Sequence, residues 1–274
     1  SPYLLQPQNQ RQSPISQFFS SAMPPRKAYI NVDLGEGYGN YSCGPDELLI
    51  PMIDHANVAC GFHAGDPLHM QQAVRQCKER GIKVGAHPGL PDVQGFGRRE
   101  MKLTPEEHTA NIVYQVGALR GFLDAEGVEL NHVKPHGILY GMMCRDAEVC
   151  RAVYAGVPKG IKVFGLAGTC QETVAAEMGI EFVAEFYGDV KYDDDGRLVI
   201  DRVKKPWRAE DVKRHVRQQL EDSAVTSSVS GKTVPLPTKD YAISVCCHSD
   251  SPGCVEIVTA TREVVDEYNK ANGF

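Results

Sequence analysis

Seven short apolar segments alternate along this chain with stretches of helical character, and this alternation constrains the fold more than any other feature. Most segments are β-branched or apolar on both faces, as expected for parallel strands covered by helices. The pattern predicts an α/β fold with a parallel sheet, most simply a (β/α) barrel that is seven-stranded and irregular, with an open doubly wound sheet as the alternative. The predicted strands are Ala28–Leu34, His55–Cys60, Ile82–His87, Leu130–Lys134, Lys162–Ala167, Glu181–Phe186 and Tyr241–Cys247.

The connecting stretches carry clear helix signals. Thr104 is followed by a proline and two acids, which is a typical helix start, and Glu107 completes a capping box with Thr104. The Ser-, Thr- and Pro-rich segment Ser223–Thr238 is predicted to be a surface loop. Predicted helices include Pro67–Arg80, Pro105–Glu126, Asp146–Gly156 and Ala209–Leu220.

Composition divides the chain into a tail, residues 1–27, and a single α/β barrel domain, residues 28–274. The tail contains no Asp or Glu and is rich in Gln, Ser and Pro, which predicts disorder, with an organelle-targeting leader as the alternative. The remaining chain, from a total of 274 residues that are 42% hydrophobic, is long enough for one barrel.

Charge and cysteine content exclude several classes of protein. The formal net charge is −6 with mixed signs and no basic stripe, so we expect no nucleic-acid partner. No apolar run approaches the roughly 20 residues of a membrane helix. The nine cysteines form no C-x-x-C pair, which indicates mostly buried thiols in a reducing compartment. We therefore expect a cytoplasmic protein, with a mitochondrial location as the weaker alternative.

Polar side chains and glycines gather just after five of the predicted strands, at the edge where α/β folds place their active sites. Glycine permits sharp turns and close approach of the backbone to a ligand, which favours function over structure for these loops. A lone histidine is more often structural, and we assign that role to His55, His69, His108, His132 and His215. The strand-end residues that we predict to be catalytic are Asp33, His63, His87, Lys134 and His136.

Two apparent ligand motifs fail on spacing. Ser230–Thr233 resembles the end of a phosphate-binding loop. The first glycine of such a loop would have to be at position 226, but this residue is Thr226. Asp193–Gly196 resembles a calcium loop, but Lys191 and Arg202 would stand at ligand positions, so a tight turn is the better interpretation.

The strand-end loops resemble the signature segments of the LamB/YcsF family. Five motifs occur in order from about Tyr29 almost to the C-terminus: NVDLGEGYG, NVACGFHAGDP, GAHPGLPDVQGFGRR, VKPHGILY and CCHSDSPG. The resemblance implies a barrel related to the polysaccharide-deacetylase superfamily. It also implies a component of an ATP-dependent 5-oxoprolinase, which opens the lactam ring of 5-oxoproline to give L-glutamate together with partner subunits.

Within that function, Asp33 is the expected general base, His136 or His63 its proton-transfer partner, and Lys134 the group that stabilises oxyanion or phosphate charge. His87 and His248 would orient the substrate or bind a metal. A divalent metal is left open by the sequence, and Asp33, His63 and His87 would hold it. ATP is the expected cofactor, bound by a partner subunit, and a homo-oligomer is compatible with the sequence. The expected substrate-binding residues are Asn31, Glu36, Asn57, Arg98, Glu185, His248 and Asp250.

Two other functions stay open at this point. One is a metal-dependent amide hydrolase or deacetylase of carbohydrate type. The other is a non-catalytic substrate-binding subunit, since no ATP-binding motif is recognisable. The chain also departs from the family pattern, with Ser249 in place of a glycine and Val190 in place of an arginine, for which Lys191 is the expected substitute.

Overall fold

Seven parallel strands close into a barrel in this computed structural model, which describes residues 25–200 and 204–274. Each strand is hydrogen-bonded to the next along the chain, and the last one, β11, lies between β6 and β1 and closes the sheet. The prediction of a seven-stranded barrel is confirmed, and the open sheet is excluded. The barrel strands are β1 (Ala28–Leu34), β2 (His55–Ala59), β3 (Lys83–His87), β4 (Leu130–Val133), β5 (Lys162–Gly165), β6 (Phe182–Tyr187) and β11 (Ala242–His248).

The strands alternate between apolar residues that pack under the helices and polar residues that fill the barrel interior. Ile30, Val32 and Val58 are fully buried in the hydrophobic core. Asn31 and Asn57, one position away, are equally buried but form hydrogen bonds across the barrel. The interior is therefore a bonded polar layer, and the expectation of strands that are apolar on both faces holds only for their outward side.

Helices cover the outside of the barrel, and their boundaries follow the predicted caps. Asp66 accepts hydrogen bonds from the backbone of Leu68 and His69 at the start of α2. The capping box of Thr104 and Glu107 is present at the start of α3. The helices are α1 (Asp46–Leu49), α2 (Pro67–Arg80), α3 (Pro105–Glu126), α4 (Gly137–Arg145), α5 (Ala147–Ala155), α6 (Cys170–Glu177), α7 (Ala209–Asp222) and α8 (Cys254–Ala271), with a 3-10 turn at Ile50–Met52.

Two short hairpins lie outside the barrel. In the first, β7 (Lys191–Tyr192) pairs with β8 (Leu198–Val199), and the Asp193 carboxylate accepts from the backbone of the turn, as predicted. The second pairs β9 (Ala224–Thr226) with β10 (Thr233–Pro235), so the prediction of a plain loop at Ser223–Thr238 is wrong in part. Val225 is fully buried, which anchors this hairpin against the body of the domain.

Other sequence expectations are met to different degrees. All nine cysteines are free thiols and most are buried. In the described ranges, no helix has the length and apolar character needed to cross a bilayer. Residues 1–24 of the predicted tail, which was assigned to residues 1–27, lie outside the described residues.

Candidate active site

A lysine and an aspartate form the centre of the site, at the carboxyl ends of β4 and β1. Lys134 Nζ lies 3.1 Å from Asp33 Oδ1 and 3.5 Å from Glu185 Oε1, and all three side chains are buried. Burial alone raises the pKa of Asp33, but the charges of His87 and Lys134 outweigh it and hold this pKa well below its usual range. Burial lowers the pKa of Lys134, but the surrounding acids, Asp33 first among them, raise it well above its usual value. The pair is therefore ionised at neutral pH.

A layer of polar side chains beneath this pair fixes its position. The Asn57 amide donates to Asp33 Oδ1 and to Asn31 Oδ1, each at 2.8 Å. The Asn31 amide donates to Glu185 Oε1 at 3.1 Å. Asn31, Asn57 and Glu185 were expected to bind substrate, but they lie below the cavity wall and orient Asp33 and Lys134 from inside the barrel.

Two histidines beside the ion pair have their protonation fixed by backbone carbonyls. His87 Nδ1 lies 2.6 Å from the Lys134 carbonyl oxygen, and His136 Nε2 lies 2.8 Å from that of Phe96. A carbonyl oxygen only accepts, so both of these ring nitrogens carry hydrogen. The other two nitrogens, His87 Nε2 and His136 Nδ1, then face each other at 3.0 Å as lone pairs when the rings are neutral.

Glycine is required where the chain closes over these rings. Gly97 has a φ of +60°, and a Cβ at this position would come within 2.7 Å of the His63 side chain and 2.9 Å of the His136 ring. Any L-residue here would be strained and would displace the rings. The glycine-rich loop of the third motif therefore serves close packing of the histidines.

His63 and Glu36 form a second buried pair behind His136. His63 Nε2 lies 3.2 Å from Glu36 Oε1, and the His63 ring stacks on the His136 ring with centroids 3.7 Å apart. Burial, with the charge of Asp33 added to it, raises the pKa of Glu36 to about 7. Ser249, the departure from the family glycine, brings its hydroxyl to 3.4 Å from Glu36 Oε2. Neither His63 nor Glu36 lines the cavity.

The remaining predicted residues form further ion pairs at the site. His248 Nδ1 lies 2.9 Å from Asp189 Oδ1, and His248 Nε2 lies 3.8 Å from Asp33 Oδ2. Burial raises the pKa of Asp189, but His248 outweighs it and brings this pKa to about 2. Arg98 Nη2 lies 2.8 Å from Asp250 Oδ2, and Lys204 binds the other oxygen of Asp250.

A cavity of about 520 Å³ opens above these groups, a size typical of small-molecule sites. Of the twelve predicted site residues, six line it: Asp33, His87, Arg98, Lys134, His136 and His248. Seven of its lining residues are Lys or Arg and three are Asp, so its wall favours an anion. Tyr140, Tyr187 and Trp207 supply its aromatic surface.

Several lining residues were not predicted. Asp189 directly precedes Val190, where the chain departs from the family pattern. It follows β6, which pairs with the strand of His248, and this strand-end position could have identified it. Lys204, Trp207, Arg208 and Arg214 come from the start of α7 and the segment before it, which carries no strand-end signal. Val190 is buried and lies on the cavity wall. The same wall carries a cation from α7 and Lys191, the residue expected to substitute for the family arginine.

The described donors form two groups that could hold a metal ion: Glu36, His63, His87 and His136, and Asp33, Cys246 and His248. The first group does not fit one ion as it stands, because the parallel His63 and His136 rings cannot both direct an in-plane lone pair at it. In the second, burial raises the pKa of the Cys246 thiol well above its usual value, which disfavours the thiolate. The predicted set of Asp33, His63 and His87 is divided between the two groups.

Comparison with known proteins gives consistent results. The LamB/YcsF family model matches residues 29–272. The lactam utilization protein lamB of Emericella nidulans is 70% identical over 249 residues, 91% of this chain and 98% of the relative. A 5-oxoprolinase subunit of Thermococcus onnurineus is 43% identical over 88% of this chain and 94% of the relative. The crystal structure of a lactam utilization protein from Thermus thermophilus superposes with a TM-score of 0.80 at 39% identity, over 88% of this chain and 96% of that one.

Proposed function

The chain belongs to the LamB/YcsF family, and from that premise we propose that it is the A-type subunit of an ATP-dependent 5-oxoprolinase. The enzyme opens the five-membered lactam of 5-oxoproline to L-glutamate. Relatives that carry this name, or the name lactam utilization protein, align along almost their whole length with this chain. The chain contributes the site for the lactam or for its phosphorylated form.

The observation that carries the proposal is the buried Lys134 at the inner end of a cation-rich cavity. 5-Oxoproline is a small anion, and its phosphorylated form carries more negative charge. Lys134 Nζ is held by Asp33 and lies on the cavity wall, where a developing oxyanion would find a fixed positive charge. The Arg98, Lys204 and Arg208 side chains also line the cavity and match the carboxylate or phosphate of such a substrate.

The reaction follows from the chemistry of the amide. A lactam carbonyl is a poor electrophile, so transfer of the γ-phosphoryl group of ATP to the amide oxygen activates the carbon. Water then adds to this carbon and the carbon–nitrogen bond breaks, which leaves an acyl phosphate of glutamate. A second water hydrolyses this acyl phosphate and releases inorganic phosphate. The released nitrogen takes up a proton, and the products are glutamate, ADP and phosphate.

The residues of this chain have distinct roles in that reaction. Lys134 stabilises negative charge on the carbonyl or phosphate oxygen, an effect worth about 3 kcal/mol for a single donor. His136 transfers the proton to the departing nitrogen, with the His63 ring packed against it. Asp33 holds Lys134 and His87 in place, and its lowered pKa makes it a weaker base than the role of general base would favour.

ATP is assigned to a partner subunit. The Ser230–Thr233 segment lies at the turn between β9 and β10, where Ser227 N donates to the Lys232 carbonyl at 2.8 Å. A hairpin turn of this kind is not the strand-to-helix loop that cradles phosphates. The partner would supply the phosphorylating site, and this chain would supply the groups that act on the activated lactam.

The test is 5-oxoproline-dependent ATP hydrolysis by the chain with its co-purified partners. We expect activity only in the complex, and Asp33→Asn should lower it by at least about 1,000-fold because the lysine loses its counter-charge. A matched control is His69→Gln on α2, where the ring contacts Asp66 outside the barrel. Activity of the Asp33→Asn complex close to that of the control would show that this chain is not the catalytic subunit.

A further inference from the structure

The hydroxyl of Tyr140 is a buried polar group on a residue of the cavity wall, and it forms no hydrogen bond. Tyr140 lines the cavity and is buried, and its Oη atom has no partner among the described residues. A buried hydroxyl without a partner costs stability, so folded proteins contain few of them. In the described part of the chain, five other residues bury such an atom and none of the five lines the cavity: His55, His63, His108, Tyr154 and Arg262.

Contacts on both sides of Tyr140 fix its position. Gln171 Nε2 donates to the Tyr140 carbonyl oxygen at 2.9 Å, and Gln171 Oε1 accepts from the Leu166 backbone at 2.8 Å. The Tyr140 ring makes an edge contact with the Tyr187 ring, with centroids 6.3 Å apart. Backbone and ring are therefore both held, so the hydroxyl keeps a fixed position in the site.

The acid that acts on this hydroxyl is already bound to other donors. Glu185 Oε2 accepts from the Tyr187 hydroxyl at 3.2 Å. Glu185 Oε1 accepts from the Asn31 amide at 3.1 Å and lies 3.5 Å from Lys134 Nζ. Burial, with the charge of Glu185 added to it, raises the pKa of Tyr140 well above its usual value. The hydroxyl therefore keeps its hydrogen and is able to donate it to a ligand.

We propose that Tyr140 recognises the ring amide of the substrate by donating a hydrogen bond from its hydroxyl to the ring carbonyl oxygen. This inference rests on the proposed function and makes Tyr140 a specificity residue for cyclic amides within it. A carbonyl oxygen has two lone pairs, so it accepts from two donors at once. Lys134 is the second donor, because it shares the Tyr187 ring as a neighbour, with Nζ 6.0 Å from the ring centroid.

The neutral charge of the hydroxyl indicates which part of the substrate it contacts. The substrate carboxylate is an anion, and Arg98, Lys204 and Arg208 on the same cavity wall match it. An uncharged donor suits the uncharged carbonyl oxygen of the ring. A five-membered ring without this carbonyl would leave the Tyr140 hydroxyl unpaired, and a site of this kind binds such a ring less well.

The test compares Tyr140→Phe with Tyr154→Phe in the complete enzyme complex. Both substitutions keep the ring and remove a buried hydroxyl without a partner, but Tyr154 lies on α5 and is not part of the cavity wall. Tyr140→Phe should raise the KM for 5-oxoproline about 10-fold and change kcat by less than about 3-fold, because the hydrogen bond is present before the reaction begins. Tyr154→Phe should change neither quantity.

A second ligand shows which atom of the substrate the hydroxyl contacts. Cyclopentanecarboxylate has the ring size and the carboxylate of 5-oxoproline but no amide. Its affinity, measured as inhibition of the complex, should be the same within about 2-fold with and without the Tyr140 hydroxyl. The melting temperature of Tyr140→Phe should equal or exceed that of the unsubstituted chain, because a hydroxyl without a partner does not stabilise the fold.

Three results would overturn the inference and leave the proposed function in place. They are an unchanged KM in Tyr140→Phe, an equal loss of affinity for both ligands, and a lower melting temperature than that of Tyr154→Phe, which would make the hydroxyl a structural group. In each case the unsubstituted complex is active. If the unsubstituted complex shows no ATP hydrolysis that depends on 5-oxoproline, the proposed function itself is wrong and the inference fails with it.

Discussion

The barrel contains two groups of buried histidines whose surroundings differ in kind. The lower histidine pair, His55 and His132, lies in the barrel interior beneath the ion pair. The upper histidine group, His87, His136 and His248, lies at the carboxyl ends of the strands and on the cavity wall. The same residue type, a few ångströms apart in one barrel, is packed in the first place and chemically available in the second.

The lower pair is packed into the protein by aromatic contacts. The His132 ring stacks on Phe164 with centroids 4.0 Å apart, and its Nε2 lies 2.7 Å from Asn57 Oδ1. His55 makes edge contacts with Tyr29 and with both of those rings. Gly85 makes room for this arrangement, because a Cβ there would lie 2.2 Å from His132 Nε2.

The difference shows how a barrel separates stability from function. In the lower pair the rings pack against aromatic side chains, and burial keeps the rings neutral by lowering the pKa of His55 to about 4 and that of His132 well below its usual range. In the upper group carbonyl and carboxylate contacts fix one nitrogen of each ring and leave the other toward the cavity. We therefore expect substitutions in the upper group to change activity and those in the lower pair to change stability.

The largest effect on activity is expected for His136→Ala in the upper group. Loss of a positioned proton-transfer group lowers the rate by about 100- to 10,000-fold. The measurement is kcat for 5-oxoproline-dependent ATP hydrolysis by the complete complex, with the thermal melting temperature of the variant as the folding check. A folded His136→Ala complex with an unchanged kcat would show that this residue takes no part in the reaction. The upper group would then not differ from the lower pair in the way that we expect.

The largest effect on stability is expected for His132→Ala in the lower pair. The substitution removes the stack on Phe164, opens a cavity and leaves Asn57 Oδ1 without this contact, at a cost of about 3 kcal/mol. Urea unfolding measures this cost. The kcat per folded molecule should stay close to that of the unsubstituted chain at low temperature, and a specific loss of kcat there would show that the interior layer acts on the site directly.

A third prediction concerns the stability of the fold at acidic pH. The pKa of His55 is lowered by burial from 6.5 to about 4, so between these values the unfolded chain binds a proton that the folded chain does not. The free energy of unfolding must then fall as the pH falls from 6.5 toward 4, by about 3 kcal/mol from this group. Urea unfolding across this interval should show the loss, and His55→Leu should flatten it. An equal slope in the variant would assign the acid sensitivity to other groups.

The fold was predictable to a large extent because local patterns coincide with the packing. All seven barrel strands, and the boundaries of α2 and α3, follow from apolar runs and cap residues. The hairpin of β9 and β10 was missed, because a segment rich in Ser, Thr and Pro has the composition of a loop and only Val225 marks it as buried. Polar residues inside the barrel were also missed as a layer, because each is bonded to strands distant in sequence.

The site was predictable in its members and less so in their arrangement. Strand-end position identified Asp33, Lys134 and His136, and these meet at one edge because the strands are parallel. The conformation of the loops after the strands then decides which side chains face the cavity, and the sequence does not give that conformation. For this reason Glu36 and His63 lie behind the wall, while Asp189 and the cations of α7 lie on it.

The smallest effect is expected at Ser249, which joins the upper group to Glu36. Its hydroxyl lies 3.4 Å from Glu36 Oε2, a weak contact, and Ser249→Gly also frees the backbone, so the cost is about 1 kcal/mol of stability. Ser249→Ala separates the two causes, because it removes the hydroxyl and keeps the Cβ. If the hydroxyl only packs, both variants keep their kcat and differ only in urea unfolding. A large loss of kcat in Ser249→Ala would instead mean that the contact with Glu36 takes part in the reaction. The groups that act in the reaction would then include side chains behind the cavity wall.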